Sequence, residues 1–149
     1  MIADMRRSLA LVAVVGSLVS GCAKEAGRVP FSGEGTAAST MTLKAGEVDF
    51  WTEIDIDWEG DASLAYKIDL AQGGKVVASA TCNPLGRLHV KTSWVETNIG
   101  DKHSRRGNGK MDCTVSLPSA GATEVRAHLA FAKKPPSVTL KKADLSVRQ

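Results

Sequence analysis

The stretch Val48–Trp58, with the sequence VDFWTEIDIDW, decides the fold. Its even-numbered positions carry apolar side chains or threonine, and its odd-numbered positions are acidic apart from Trp51. Because successive side chains of a β-strand point to opposite faces, this alternation predicts a strand with one buried face and one face in water. A shift in pairing by one residue would place its carboxylates in the core, so the register of this strand is firmly set.

The residues around this strand repeat the alternation in shorter runs. Turn signals separate the runs, and the clearest is Gln72-Gly73-Gly74, since adjacent glycines accept positive φ at no steric cost. In the last run the apolar positions change from even to odd numbers, which predicts a β-bulge near Lys141-Lys142. The predicted strands are 40–44, 48–58, 64–70, 75–82, 88–94, 111–117, 125–131 and 138–147.

About eight strands without any helical period predict an all-β protein. The expected fold is an antiparallel two-sheet β-sandwich, with a jelly-roll-like arrangement as the first choice and an immunoglobulin-like one as the second. The longest connection is predicted at residues 98–110, NIGDKHSRRGNGK, which has the composition of a basic, glycine-rich loop.

Charge is distributed unevenly along the chain. Residues 22–74 carry four Lys/Arg and ten Asp/Glu, a net charge of −6, whereas residues 75–149 carry thirteen and five, a net charge of +8. Two explanations stay open. Either the two halves neutralise each other within the fold, or the second half presents a basic surface to an anionic partner.

The N-terminal 21 residues have the features of an export signal. Arg6 and Arg7 precede an apolar run from Leu9 to Val19. This run is shorter than the roughly 20 residues that span a bilayer, and it has the length of a secretory signal core. Small residues then lead directly to a cysteine in Val19-Ser20-Gly21-Cys22. This junction resembles the lipobox of bacterial lipoproteins.

The resemblance implies a lipid anchor in the cell envelope. In that family the signal is removed and the cysteine thiol receives a diacylglyceryl group, so Cys22 would be the lipidated first residue of the mature chain. In a Gram-negative host, Ala23 in place of an aspartate implies the outer membrane, facing the periplasm. No later segment is apolar for long enough to cross a membrane, so the lipid is expected to be the membrane anchor.

The expected organisation therefore has three parts. Residues 1–21 are the lipoprotein signal peptide, residues 22–38 are the lipidated N-terminus and a flexible tether, and residues 39–149 are the β-sandwich domain. The tether is predicted from its small, polar and glycine-dotted composition. For part of it, a short edge strand at 29–31 is the alternative, because proline is tolerated at sheet edges.

The three cysteines divide according to this organisation. With lipid on Cys22, Cys82 and Cys113 remain as an even pair in an oxidising compartment, which predicts a disulfide. Two buried free thiols are the competing interpretation. The cysteines lack the paired spacing of zinc ligands, so no metal site is expected at them.

One candidate binding patch lies on the polar face of the central strand. Trp51 stands among Asp49, Glu53 and Asp55. An exposed aromatic ring can stack on a sugar while neighbouring carboxylates accept its hydroxyl hydrogens, so these residues predict a carbohydrate-binding patch. The alternative is that Trp51 packs beneath a loop or covers the rim of the sheet.

The basic stretch is a second candidate. Its glycines would let backbone amides approach an anion, and its arginines would pair with that anion bidentately. A solvated, mobile loop is the alternative. Nucleic acid is not an expected partner, because no nucleic-acid-binding motif is present. The candidate residues are Lys102, His103, Arg105, Arg106 and Lys110.

Metal binding and catalysis have little support. The segment 55–61 resembles the opening of an EF-hand calcium loop, but Tyr66 falls where the bidentate glutamate is required. His89, His103 and His128 are isolated from any recognisable nucleophile or metal motif. The chain is therefore not expected to be an enzyme, to bind a metal or to need a cofactor.

The resulting hypothesis is a membrane-anchored envelope lipoprotein that acts as a non-catalytic binding module. Its ligand would be a glycan or a protein partner, and an inhibitor or immunity role is one form of the protein-partner version. A small envelope hydrolase and a structural envelope component are the alternatives.

Overall fold

The computed structural model describes residues 23–149, which form β-strands joined by short turns. The predicted signal peptide and Cys22 lie outside the described residues. Within 23–149, no helix has the length and apolar character needed to cross a membrane. The strands are β1 (Glu25–Val29), β2 (Gly35–Leu43), β3 (Gly46–Glu59), β4 (Ser63–Gln72), β5 (Lys75–Cys82), β6 (Leu88–Ile99), β7 (Lys102–Leu117), β8 (Gly121–Lys133) and β9 (Ser137–Arg148).

The strands form two antiparallel sheets packed as a sandwich. Sheet A has the order β1-β9-β3-β7-β6, and sheet B has the order β2-β8-β4-β5. The chain makes four nested pairs, β1 with β9, β2 with β8, β3 with β7 and β4 with β5, which lie in sheets A, B, A and B in turn. This nesting is the jelly-roll arrangement, with β6 added as an outer strand of sheet A. The predicted all-β sandwich and its preferred topology are confirmed.

The alternating stretch forms the central strand of sheet A, between β9 and β7. Its inward residues Val48, Phe50, Ile54 and Ile56 are buried, with none more than 1% exposed. The sheet B partners of this core include Leu64, Ile68, Leu129 and other side chains of β4 and β8. Burial of these two facing apolar surfaces, at about 25 cal/mol per Å², is the main force that holds the sheets together.

The turn and the bulge predicted from the sequence are both present. Gln72 pairs with Lys75 across a two-residue turn, in which Gly73 and Gly74 have φ of 58° and 77°. In β9, Lys142 pairs with Asp55 and Leu140 pairs with Ile56, so Lys141 is the extra residue of a bulge. The bulge turns the following apolar side chains of β9 into the core.

The sheets are also joined by specific bonds. Cys82 of β5 and Cys113 of β7 form a disulfide with a Cα–Cα distance of 5.5 Å, so the predicted bridge is confirmed. Elsewhere, the hydroxyl of Tyr66 on β4 donates to the carbonyl of Ala143 on β9 at 2.6 Å and contacts the hydroxyl of Thr52 at 2.9 Å. Burial raises the pKa of Tyr66, which keeps the phenol protonated and able to donate.

The predicted tether over residues 22–38 is wrong for most of its length. Residues Glu25–Val29 form an edge strand of sheet A paired with β9, and β2 already begins at Gly35. The lack of a side chain at Gly27 favours this packing, because a Cβ there would lie 2.7 Å from the side chain of Met41. A composition typical of linkers thus hides a strand whose glycine is needed for close contact.

The predicted loop at residues 98–110 is also wrong. It is a β-hairpin, in which β6 runs to Ile99 and β7 starts at Lys102. Two of its glycines lie in β7 against β6. A Cβ on Gly107 would come within 2.5 Å of the carbonyl oxygen of Ser93, and one on Gly109 within 2.5 Å of the Leu88 side chain. These glycines permit a close approach of the strands rather than flexibility.

Candidate functional site

The predicted sugar-stacking patch around Trp51 is not available to a ligand. Trp51 is only 8% exposed. The guanidinium of Arg148 lies 4.0 Å from its ring centroid, in the geometry of a cation–π contact. In the sheet its neighbours are Lys110 on β7 and Ser146 on β9. The prediction of an exposed stacking face is therefore wrong, because the flanking strands cover the ring.

The three carboxylates of this patch are engaged as well. Asp49 lies 3.5 Å from the ammonium of Lys110, and Asp55 lies 3.4 Å from the guanidinium of Arg106. Glu53 accepts hydrogen bonds from Arg28 on β1 and from Lys142 on β9. These three carboxylates of β3 are therefore neutralised by cations of the strands around them, rather than free to accept hydrogen bonds from a sugar.

Glu53 belongs to a network that fastens β1 and β9 to the central strand. Arg28 also donates to Asp144 at 3.3 Å, and Lys142 lies 3.6 Å from the same carboxylate. The other carboxylate oxygen of Asp144 accepts the backbone N–H of Phe31 at 3.1 Å. Hydrogen bonds from Arg28 and from Lys142 hold the pKa of Glu53 below its ordinary value of 4.5.

This network predicts an acid-sensitive contribution to stability. Because the pKa of Glu53 is lowered by folding, its contribution is fully present above 4.5 and is lost as the pH falls through its folded-state pKa. We expect Glu53→Gln to lower the free energy of unfolding by about 1 kcal/mol at neutral pH, and to lose less stability than the native chain on acidification. Urea unfolding at a series of pH values measures both effects.

The control for this prediction is Glu47→Gln. Glu47 lies on the same strand but is exposed and forms no ion pair within residues 23–149. Its substitution should leave the pH dependence unchanged. If Glu47→Gln and Glu53→Gln behaved alike, the network would contribute nothing specific to folding.

The five basic candidate residues do not form one anion site. Lys102, Arg106 and Lys110 lie on the outer face of sheet A, where each forms an ion pair with a carboxylate of β3. His103 and Arg105 lie on the inner side of the sheet. Arg105 is held by Glu96 at 3.2 Å and by the carbonyl of Gly86 at 3.2 Å. The uneven charge along the chain is therefore largely neutralised within the fold.

The histidines each contact one polar group. Nδ1 of His103 lies 2.6 Å from the Asn98 side chain, and Nδ1 of His128 lies 2.8 Å from the Thr36 hydroxyl. Nε2 of His89 lies 2.8 Å from Asp112, and this hydrogen bond lowers the pKa of Asp112. No group of three or more His, Cys, Asp or Glu side chains in residues 23–149 is placed to hold a metal ion.

The pair of His89 and Asp112 borders a cleft of about 690 Å³ over the disulfide, at the seam between β5 and β7. A histidine beside a carboxylate is the arrangement that general acid–base catalysis requires. The hydroxyls of Ser79, Thr81 and Thr114 also line this cleft. The envelope hydrolase therefore stays a hypothesis with a defined location, although both members of the pair are largely open to solvent.

A second depression lies at the other end of sheet A, and we call it the distal groove. It has a volume of about 520 Å³. The ends of β3, β6, β7 and β9 build it, since all four strands end or begin there. Its lining residues are Asp57, Trp58, Glu59, Thr97, Ile99, Lys102, His103, Ser104, Ser137 and Thr139.

Cross-strand pairing arranges the distal groove in two rows. One row contains Thr97, Ser104, Asp57 and Thr139, which are neighbours across four strands. In contrast with Asp55 beside it, Asp57 forms no ion pair within residues 23–149. This row therefore combines three hydroxyls with one free carboxylate.

The second row supplies a different chemistry. Ile99 is 70% exposed at its end, and the ion pair between Lys102 and Glu59 follows at 3.9 Å. On the inner side of the sheet, where its end borders the groove, the rings of Trp58 and His103 stack with centroids 5.0 Å apart. The distal groove thus offers apolar contact beside convergent polar groups, which is the composition of a ligand site.

Sequence reasoning missed the distal groove as a site. In the sequence, Asp57 is only one more acidic position of an alternating strand. Whether it forms an ion pair depends on which residues of the neighbouring strands lie beside it. Of the predicted candidates, Lys102 and His103 line the groove. Trp51 and Glu53 lie farther along the outer face of the sheet, and Arg105 is on the inner side, two residues farther from the start of β7 than His103.

No protein-family model matches this chain, and no curated protein matches it.

Proposed function

We propose that the protein is a lipid-anchored lipoprotein of the bacterial cell envelope, and that its β-sandwich is a non-catalytic binding module. The distal groove is the observation that carries this proposal. It joins an unpaired carboxylate, three hydroxyls and exposed apolar surface in one open depression. A groove of this kind suits recognition of a ligand by shape and hydrogen bonds rather than its chemical conversion.

The position of the groove supports its use by an anchored protein. Lys24, just before β1, pairs with Gln149, just after β9, through two backbone hydrogen bonds at one end of sheet A. Asp57 and Thr139 lie at the opposite end. The distance along β3 is about 30 Å at the usual rise of a strand. With lipid on Cys22, the distal groove would therefore face away from the membrane.

The composition of the groove favours a glycan over a protein. Asp57 can accept hydrogen bonds from sugar hydroxyls, and the hydroxyls of Ser104 and Thr139 beside it can both donate and accept. The exposed side chain of Ile99 on the same face offers apolar contact for the C–H groups of a sugar ring. The glycan-binding role that the sequence suggested for Trp51 thus moves to the distal groove. A protein partner, including an inhibitor or immunity role, is the other outcome of the test below.

The experiment is co-sedimentation of the protein with purified peptidoglycan sacculi. The double variant Asp57→Asn, Thr139→Val removes the carboxylate charge and one hydroxyl while keeping the size of both side chains. We expect it to bind about tenfold more weakly than the native protein, which corresponds to about 1.4 kcal/mol. A loss of that size is typical of a hydrogen bond to a charged group.

Asp61→Asn is the matched control. Asp61 is exposed in the turn after β3, pairs with Lys133 at 3.3 Å and does not line the groove. The Asp61→Asn variant should bind sacculi like the native protein.

Crosslinking in native envelopes, followed by mass spectrometry, is the second experiment. If the native chain captured one dominant protein and the double variant did not, the ligand of the groove would be a protein partner rather than a glycan. If the double variant bound sacculi and captured proteins as well as the native protein does, the distal groove would not be the binding site.

A further inference from the structure

The outer strand β6 has two parts with different edges. Between Leu88 and Val95 its pairing with β7 shifts register twice, and Ser93 there has a φ of 50°. Such bulges bend a strand and discourage pairing with another chain. From Val95 to Ile99, in contrast, all five residues pair with β7 in regular register. This second part is a straight edge on the outermost strand of sheet A.

The straight edge also carries exposed apolar side chains. Val95 is 61% and Ile99 is 70% exposed, and they share the outer face of the sheet with Thr97 between them. Edge strands of monomeric proteins are usually protected by charged side chains, proline or a bulge. The segment 95–99, VETNI, contains no lysine, proline or bulge, and its one charged side chain, Glu96, is neutralised by Arg105 of the same sheet at 3.2 Å. Its backbone is unpaired on the side away from β7.

The segment 95–99 is complementary to a second copy of itself. In an antiparallel pair with a two-fold axis at Thr97, Val95 meets Ile99 of the other copy, and Thr97 meets Thr97. On the inner face, Glu96 meets Asn98. Directly opposed β-branched pairs stabilise a sheet, whereas like charges in that position destabilise it. A two-fold axis at Glu96 would oppose two carboxylates, so the register centred on Thr97 is the favoured one.

From these observations we propose that the protein forms a two-fold symmetric dimer by antiparallel pairing of β6, with Thr97 at the axis. The pairing continues sheet A across both copies into a sheet of ten strands. It also brings the two distal grooves together, because Thr97 and Ile99 line the groove of each copy. The partner of this edge is therefore a second copy of this chain. The dimer proposal does not depend on which ligand the groove binds.

The test places a thiol at the proposed axis. In the full-length protein in native membranes, Thr97→Cys should be joined to itself by a short thiol-reactive crosslinker and run as a dimer on a denaturing gel. The matched control is Thr92→Cys, which is also an exposed threonine of β6 but lies before the straight edge. Because pairing raises the effective concentration of the two thiols, the dimer band should be roughly tenfold stronger for Thr97→Cys. The native chain gives the background, because its Cys22 thiol would carry the lipid and Cys82 and Cys113 are joined in the disulfide.

A second experiment checks the register. Val95→Cys and Ile99→Cys should crosslink poorly when each is expressed alone, because each faces the other position across the axis. Chains of the two variants expressed together should crosslink efficiently. The proposal is overturned if Thr97→Cys crosslinks no better than Thr92→Cys, or if Val95→Cys alone crosslinks as well as the mixture. Since Asp57 and Thr139 lie outside β6, the groove variant should dimerise normally.

Discussion

Replacing Cys82 and Cys113 together by alanine is expected to lower the free energy of unfolding by about 3–4 kcal/mol, on the basis of the entropy of closing a loop of this length. The bridge spans 31 residues of sequence and joins the edge strand β5 of sheet B to β7 of sheet A. Without it the unfolded chain gains conformational freedom, while the native packing of the two sheets is largely retained. Urea unfolding followed by tryptophan fluorescence measures the loss.

Chemical reduction of the native protein is the matched control, because it opens the same bond without removing a side chain. The reduced protein and the double alanine variant should lose similar amounts of stability. If the variant lost less than about 1 kcal/mol, the bridge would not constrain the unfolded chain as the loop-entropy argument requires. If reduction had no effect while the variant unfolded readily, packing of the two sulfur atoms would be responsible instead.

Replacing Cys22 by alanine is expected to abolish lipid incorporation and to release the protein from membranes. The expectation rests on the lipobox-like junction Val19-Ser20-Gly21-Cys22. Each buried methylene of an acyl chain contributes about 0.8 kcal/mol, so loss of two or more long chains removes nearly all membrane affinity. Metabolic labelling with a radioactive fatty acid, followed by separation of membrane and soluble fractions, measures both effects.

Lys24→Ala serves as the control for this second prediction. It alters the charge next to the junction but keeps the cysteine, and the contacts of Lys24 with Gln149 use backbone atoms alone. Labelling and membrane association should therefore match those of the native chain. Continued lipid labelling of Cys22→Ala would contradict the lipoprotein assignment, whereas lost labelling with unchanged membrane association would point to a second anchor.

The fold could be predicted where side-chain pattern alone determines the outcome. The alternation in β3, the paired glycines after Gln72 and the parity change at Lys141 each have a direct geometric meaning, and all three appear in the structure. The predictions failed where glycine was taken as a sign of flexibility. Gly27 and Gly107 instead lie inside strands, where a Cβ would meet the Met41 side chain and the backbone of Ser93 respectively.

The candidate site was harder to predict, since it depends on neighbours that are remote in sequence. Whether Trp51 is an exposed platform is decided by Arg148, which is almost a hundred residues away and covers its ring. Whether Asp57 is free is likewise decided by the residues that β7 and β9 place beside it, Ser104 and Thr139. The sequence of an acidic strand is the same whether its carboxylates form ion pairs or not. No local sequence pattern therefore distinguishes a carboxylate in an ion pair from an unpaired one.

The short junction at the N-terminus has a mechanical consequence. Ala23 alone separates Cys22 from Lys24, and Lys24 is already bonded to Gln149 at the end of β9. A lipid on Cys22 would therefore keep this end of the sandwich close to the bilayer surface. The distal groove would then meet partners only within a layer about one domain length deep next to the bilayer. Lengthening the junction by a flexible insert would widen that layer and dilute every encounter made within it.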